Sequence, residues 1–508
     1  MKKFQKLISL TMALCCVGGS MASCGGKTLE NKANKLYVAA LNKGYGIDWI
    51  YATLDAYCAK KGIEYEVTPV YDTSQITTKV ESGAEYCNYD IIFSGNIVPA
   101  GESFLADLSD VYASTYESGT RAGQTIGESM DDTIWKTVEN SNQKIFPWTG
   151  GVNGLMVNYE AVVKALGANW EDTYKCRTTD ELLEFCAALK DAGLSPFIHA
   201  ASTHYYQALY DAWFAQWNGV KGVEDYFEGK YVDELGATRI GPEVCFNQGV
   251  YEAAKVMESI FSSGYSLSES NGLEWDVCQT YFMLGKSAMF SNGDWNNREM
   301  SKSFPNTDIR MLHTPVLSSL GTKWGITEDE LLALIDYVDA VNAGKEATKP
   351  SIDNVDELIA KTKEARAWAF TYADYHMGSV ISYSTKIDLA KDYLKFLVSD
   401  EGQAEYVKAT KGLTMCFGYD LETYEGFNEL PEFAKSRWEI ARSARFYCTD
   451  KTSTFGSVGL EPFRMRSTAP LGVLLSRTNN RKTALDIYNE DYEYYKTVWS
   501  SFVLASQK

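Results

Sequence analysis

The residues on which catalysis or metal binding would rest are few and scattered. The chain of 508 residues carries four histidines, His199, His204, His313 and His376, and no two stand in the HExxH spacing that seats a zinc ion on one helix face. No GxSxG sequence offers a nucleophile elbow, no glycine-rich stretch ends in the Lys-Ser/Thr of a phosphate loop, and no GxGxxG follows a strand-like run. Eleven cysteines include no CxxC pair, so a zinc ribbon or thioredoxin-type centre is absent. Carboxylates are the one abundant reactive group. With 67 Asp and Glu, chance alone supplies pairs, so glycoside hydrolysis, which needs two carboxylates across a bond, is not excluded by counting. The expectation is a protein with no catalytic residue, no metal and no cofactor.

What the chain has in quantity is rings: 33 Tyr, 22 Phe and 12 Trp. Tyr and Trp serve in cores as well as in recognition, so number alone decides nothing. The formal charge is −19, and −22 without the three lysines of residues 1–23. A surface of that sign repels phosphate backbones, which argues against nucleic acid as a partner. Its plain reading is a solvated surface. Acting on a ligand, it would favour a cationic one, such as a polyamine or an amino sugar. Composition is globular, with 45% hydrophobic and 23% charged residues, and the length calls for two domains or two large lobes.

The N-terminus reads as an address. A basic start (Lys2, Lys3, Lys6) precedes an apolar run from Leu7 to Gly19 that is too short to span a bilayer permanently. Ala22 and Ser23 then stand directly before Cys24, which resembles a bacterial lipoprotein lipobox, with Met21 where Leu is commoner. The resemblance implies a signal peptide over 1–23, cleavage before Cys24, a lipid on that cysteine, and a short polar tether over 24–35. One acyl chain holds a protein weakly and two hold it firmly. No later segment has 18 apolar residues in a row, so the expected location is outside the cytoplasm, on a membrane anchor. Eight cysteines remain in the mature chain. They are expected to be buried thiols with one or two bridges, and no pairing is assigned.

Periodicity supplies the elements. Leu36-Tyr-Val-Ala-Ala-Leu41 predicts a buried strand. Asp48 is the expected N-cap of a helix carrying Trp49, Ile50, Leu54, Tyr57 and Cys58 and stopped at Gly62. Glu64 to Val70 alternates as a strand, Gln75 to Ser82 predicts a helix, and Tyr89 to Phe93 a third strand. That alternation predicts a parallel α/β lobe. A second lobe opens near Pro147-Trp148 with the strand Gly154 to Asn158. Thr178-Thr-Asp-Glu181 and Thr327-Glu-Asp-Glu330 read as capping boxes, each followed by an apolar stripe and a glycine stop. Further helices are predicted over Tyr205 to Trp217, Val250 to Phe261 and Asp353 to Trp368.

Four segments, in order, carry a resemblance: Tyr89-Asp-Ile-Ile-Phe-Ser-Gly95; Thr179-Asp-Glu-Leu-Leu183 with Ala188-Leu-Lys-Asp-Ala-Gly-Leu-Ser-Pro-Phe197; Phe282-Met-Leu-Gly-Lys-Ser-Ala-Met-Phe-Ser-Asn-Gly-Asp-Trp295; and Ala390-Lys-Asp-Tyr-Leu-Lys-Phe-Leu-Val-Ser-Asp-Glu-Gly402. Together they resemble the extracellular solute-binding lipoproteins of bacterial ABC importers, in the large family 1 group that includes maltodextrin- and oligosaccharide-binding proteins. The resemblance covers roughly residues 35–415. It implies a periplasmic-binding-protein-like α/β fold: two lobes, a hinge, and a ligand cleft between them. Carried onto this chain, lobe one is expected over 36–147 plus 316–414, with a helical insertion at about 320–375. Lobe two is expected over 148–312 plus 415–508, with hinge crossings at Pro147 and His313-Thr-Pro315. The implied function is capture of a carbohydrate by a monomer that hands it to permease subunits. The alternatives kept open are a carbohydrate-active hydrolase and a binder of a cationic solute such as a polyamine.

Sugars present hydroxyls at the ring edge and C–H groups on the faces, so their sites combine flat rings with amide and carboxylate partners. By the resemblance, Trp295 stacks on a sugar face and Asp294 accepts hydroxyl protons. The competing reading puts Trp295 in the lobe core and makes Asp294 a helix cap. Tyr205 is the second candidate platform. Asn42 and Tyr45 sit in the first strand-to-helix loop, which reaches the cleft in this fold, and Trp49 opens the helix after it. Ser94 and Asn96 follow the third strand. Trp148, beside the hinge, is either cleft wall or hinge packing.

Overall fold

The computed structural model describes residues 29–94, 102–200, 205–371, 376–447, 453–463, 474–475 and 479–507. Cys24, Asn96 and Cys448 lie outside the described residues.

The chain opens with β1 (Lys35–Leu41), whose Leu36 to Ala40 are all buried. Helix α1 (Asp48–Lys61) turns Trp49, Ile50, Leu54, Tyr57 and Cys58 inward and stops at Gly62, whose φ of 67° suits a residue without Cβ. Asp48 is the first residue of that helix and caps nothing; Ile47 holds the N-cap position. Strands β2 (Glu64–Val70) and β3 (Ile91–Phe93) both pair with β1 in parallel, as the first alternation predicts. After β4 (Phe146–Pro147) comes β5 (Asn153–Asn158), buried throughout. Helix α2 (Thr179–Asp191) is capped by Thr178, which accepts from Glu181 N. The reciprocal half of that capping box is not made, because the Glu181 carboxylate is taken by Arg177. Then follow β6 (Ser195–Ile198), α3 (Gln207–Phe227), the hairpin β7 (Lys230–Val232) and β8 (Thr238–Ile240), and α4 (Gln248–Ser262). Next come β9 (Ser287–Gly293), α5 (Trp295–Met300), β10 (Ile309–Leu312), α6 (Glu328–Asn342) with a complete Thr327/Glu330 capping box, and α7 (Val355–Ala367). The last elements are β11 (Trp368–Phe370), β12 (Met377–Val380), α8 (Glu432–Ala441), β13 (Arg445–Tyr447) and α9 (Ala484–Ala505).

The strands form two large sheets, one per lobe. The first runs β2-β1-β3-β12-β4, and the second β13-β11-β5-β9-β6 with β10 also on β5. The two α/β lobes of the sequence reading are thus present, but the lobe limits differ from it. The stretch 316–370, expected in lobe one, packs instead against the second core and ends in β11 on the second sheet. Pro315 is not a crossing, because its carbonyl accepts from both Trp213 Nε1 and Gln216 Nε2 of α3. Leu317 N then donates to Gln216 Oε1, Val316 bridges Thr178, and Glu364 of α7 accepts from Val220 N. Leu320, Leu331 and Ile335 bury their side chains in the second core, each worth ~1.5–3 kcal/mol, and Ala365 joins them. The chain instead passes between sheets three times: between β4 and β5, between β11 and β12, and between the first-lobe helix Asp400–Thr410 and α8, where Met311 N of β10 donates to Ser436 Oγ.

Seven cysteines, Cys58, Cys87, Cys176, Cys186, Cys245, Cys278 and Cys416, are buried free thiols, so among the described residues no bridge forms. No described helix is long and apolar enough to cross a membrane.

Candidate functional site

Several strand ends meet where the lobes face each other. The loop after β1 contributes Tyr45, the first crossing Trp148, the end of β9 Asp294 and Trp295, the approach to α3 Tyr205, and the approach to β12 His376. Their rings form one cluster. Tyr45 stands edge-on to Trp148 at 5.9 Å, to Trp295 at 6.0 Å and to His376 at 5.0 Å. Tyr205 meets Trp295 edge-on at 5.8 Å. Glycines make the approach possible. The Trp295 indole folds back over Gly293, and the Tyr45 hydroxyl passes over Gly151, each where a Cβ would collide.

Asp294 is the centre of this cluster and is wholly buried. Its Oδ1 accepts from the Tyr45 hydroxyl at 2.5 Å, and its Oδ2 accepts from Val152 N at 3.0 Å and Arg437 Nε at 2.7 Å. Arg437, equally buried on α8, also donates to Gly150 O at 2.6 Å and Thr414 Oγ1 at 3.3 Å. Burial and the Asp294 charge hold the Tyr45 phenol well above its ordinary range. One ion pair thus fastens the first-lobe loop, two of the three crossings and the junction between β9 and the helix that opens with Trp295.

The expected site residues divide accordingly. Tyr45, Trp148, Tyr205 and Trp295 come together. Asp294 is among them but is neither an exposed hydroxyl acceptor nor a helix cap: it is buried, accepts from Tyr45, Val152 and Arg437, and makes no cap bond to α5. Trp49 is a core residue. It is 1% exposed, stacked on Trp148 at 5.1 Å and enclosed by Phe93 and Tyr406. Ser94 is 1% exposed, and both its N–H and its hydroxyl donate to Met377 O, which binds it into the first sheet and away from a ligand. Asn42 is half-buried, and its N–H completes the β1–β2 edge at Val70 O.

Sequence reasoning missed Arg437, Arg298, Glu299 and His376. Arg298 Nη2 reaches Asp48 across the lobes at 2.7 Å. Glu299 accepts from Gln279 Nε2 at 2.9 Å and faces the Gly44 N–H; burial raises its carboxyl pKa. The one available signal was that a buried Asp294 demands a cation, but nothing local says which. Among the described residues, three buried polar atoms at the first crossing, Trp148 Nε1, Thr149 Oγ1 and Asn153 Oδ1, have no hydrogen-bond partner. Such groups call for a water or a ligand. A cavity of about 500 Å³ lies beside the hub, lined by Asp131, Gly150, Thr414, Tyr419, Trp438 and Arg442 among others, and by none of the clustered rings. No group of side chains that could hold a metal ion occurs among the described residues.

The profile of a family described as bacterial extracellular solute-binding protein matches residues 52–433. RafE in complex with raffinose superposes over 91% of this chain and 99% of its own, with 14% identity and a TM-score of 0.52; ligand-free RafE from Streptococcus pneumoniae also gives 0.52. The cyclic α-maltosyl-1,6-maltose binding protein from Arthrobacter globiformis covers 91% of this chain and 99% of its own at 14% identity, with a TM-score of 0.56. The bacterial solute receptor AcbH, described as preferring β-D-galactopyranose, covers 92% and 99% at 11% identity, with a TM-score of 0.54. At these identities the likeness is one of fold. No curated protein matches the chain by sequence.

Proposed function

The chain belongs to the bacterial extracellular solute-binding protein family, and from that premise we propose that it captures a carbohydrate between its lobes and delivers it to the permease subunits of an ABC importer. The observation that carries the reading is the ring cluster Tyr45, Trp148, Tyr205 and Trp295, drawn from both lobes and a crossing, at the strand ends where an α/β fold binds ligands. Trp295 is the stacking platform for a sugar face, and Trp148 Nε1 and Asn153 Oδ1 are the unspent partners for its hydroxyls. Proteins of the same fold are described as binding raffinose, cyclic maltosyl-maltose and galactopyranose. The protein acts as a monomer, converts nothing, and is held to the membrane through Cys24.

A thermal-shift panel of mono- and oligosaccharides, amino sugars and polyamines tests this, since a ligand at a hundred times its Kd adds about 2.7 kcal/mol of stability. An oligosaccharide that stabilises the protein and is recovered intact is the expected result. Turnover abolished by changing one carboxylate would make the protein a hydrolase, and stabilisation by polyamines alone would make its ligand a cationic solute. The anchor is tested separately: Cys24→Ser is expected to release the protein from the membrane fraction, and a normally processed, membrane-bound variant would refute it.

A further inference from the structure

The cations beside the ring cluster are already committed. Arg437 is bound to Asp294 and Arg298 to Asp48, and the exposed Lys43 acts on Asp72. Glu299 is the carboxylate left over. It accepts from Gln279 Nε2 at 2.9 Å and from the Gly44 N–H, both neutral donors. Its neighbour Arg298 acts on it as well, but that guanidinium is held by Asp48. Glu299 stands one helical turn after Trp295 on α5, so the two share a face. Its charge is felt at Tyr205, whose phenol is pushed up to about 12 by burial first and by Glu299 second.

A second acceptor lies alongside. Gln279 is wholly buried, and its bond to Glu299 fixes the amide with Nε2 toward the carboxylate. Gln279 Oε1 then has no hydrogen-bond partner among the described residues. A buried acceptor of this kind calls for a donor. The same helix, Trp275–Met283, leads outward from there. Trp275 lies one turn before Gln279 on the same face and is 39% exposed, between the exposed carboxylates of Glu274 and Asp276. An indole covers the C–H face of a sugar and attracts a cation, while flanking acids take protonated amines.

We propose that the saccharide is an oligomer of amino sugars: Glu299 receives a protonated amine of the sugar stacked on Trp295, and Trp275 with Glu274 and Asp276 extends the site toward solvent for the sugars that follow. The proposal names the ligand class of the site described above and rests on the carbohydrate reading. An ammonium brings three N–H donors and a full charge to a carboxylate that only neutral groups contact, whereas a hydroxyl brings one donor and no charge.

Isothermal titration with β-1,4-linked glucosamine oligomers, their N-acetylated counterparts of equal length, neutral glucans and spermidine tests this, at a pH that keeps the amines protonated. The free-amine oligomer is expected to bind at least roughly tenfold more tightly than the N-acetylated one. Glu299→Gln is expected to bring that ratio close to one. Affinity is expected to rise from dimer to hexamer, and Trp275→Ala to remove most of the rise. Equal binding of acetylated or neutral oligomers, or a ratio untouched by Glu299→Gln, would overturn the proposal and leave the carbohydrate reading standing. Spermidine binding alone would overturn the carbohydrate reading, and its sensitivity to Glu299→Gln then decides whether that carboxylate is the amine's partner. A length dependence unchanged in Trp275→Ala would remove the outer extension. If a variant does not fold, the acetylated and free-amine oligomers still give the deciding comparison on the wild type.

Discussion

Asp294 shows how one side chain can be in the expected place with an unexpected job. In the sequence it reads as a hydrogen-bond acceptor beside a stacking tryptophan. In the structure it neutralises Arg437 where both groups are fully buried. Removing one partner of such a pair strands the other charge, at a cost of ~3–5 kcal/mol. Asp294→Asn and Arg437→Met are each expected to lose stability of that order in urea unfolding, whereas the double change to Asp294→Leu with Arg437→Leu should recover much of it. Trp295→Ala is expected to act on two readouts. Its burial predicts a stability loss toward the ~3–5 kcal/mol of a core ring, and its role as platform predicts affinity lower by more than roughly tenfold, about 1.4 kcal/mol. A destabilised variant with unchanged affinity would make it a core residue only. His199 supplies a pH dependence. It is 5% exposed, held by Ser266 and Asn271, and burial lowers its pKa to about 4 from 6.5. The unfolded chain therefore binds the proton first as pH falls. Stability is full above pH 6.5, declines between 6.5 and about 4, and levels off below, for a total of about 3 kcal/mol from this group. His313, lowered to about 3, adds to the same slope. The drop in melting temperature from pH 7 to pH 4.5 should shrink in His199→Gln.

At the scale of elements, the first half of each lobe follows its own sequence closely. Strand β2 runs over Glu64–Val70 as the alternation predicts, α1 ends at Gly62, and α6 starts on the Thr327 capping box. These signals act within a turn or a strand, where neighbours along the chain are neighbours in space. The segment Asn292-Gly-Asp-Trp295 adds a steric requirement. The indole crosses Gly293 so closely that any side chain there must push it away. Gly293→Ala is expected to displace Trp295 and weaken saccharide binding, while leaving the β9 ladder intact because Gly293 is already extended in the sheet opposite Asn153. Tryptophan fluorescence and a binding titration check this; native fluorescence with native affinity would show that the contact is not required. The helices of the stretch 316–367 join the second lobe because α3 offers them Trp213, Gln216 and the Val220 N–H, anchors that no feature of the stretch itself announces.

At the scale of the whole molecule, one ion pair ties two of the three crossings to a loop of the first lobe. Arg437 reaches Gly150 on the first crossing and Thr414 on the third, and Asp294 reaches the first lobe through Tyr45. Opening the lobes would break the Tyr45 contact and leave the Arg437 contacts within the hinge. Asp294 would then keep its cation in either state, which lets a buried charge sit at a hinge without a desolvation penalty on each opening.

The sequence by itself determined the two-lobed α/β class, the limits of β1, β2, α1 and α6 to within a residue or two, the absence of any recognisable catalytic motif, and four of the clustered rings. These depend on periodicity, caps and short motifs, which are written in adjacent residues. Only the tertiary structure decided that Trp49 lies in the core behind Trp148, that Ser94 spends its donors on Met377, that 316–370 belongs to the second lobe, and that Asp294 answers to Arg437. Each of these rests on a partner far along the chain, 143 residues away for the ion pair. A buried carboxylate announces that it needs a cation, but the choice among 48 Lys and Arg is made by packing, which no local pattern encodes.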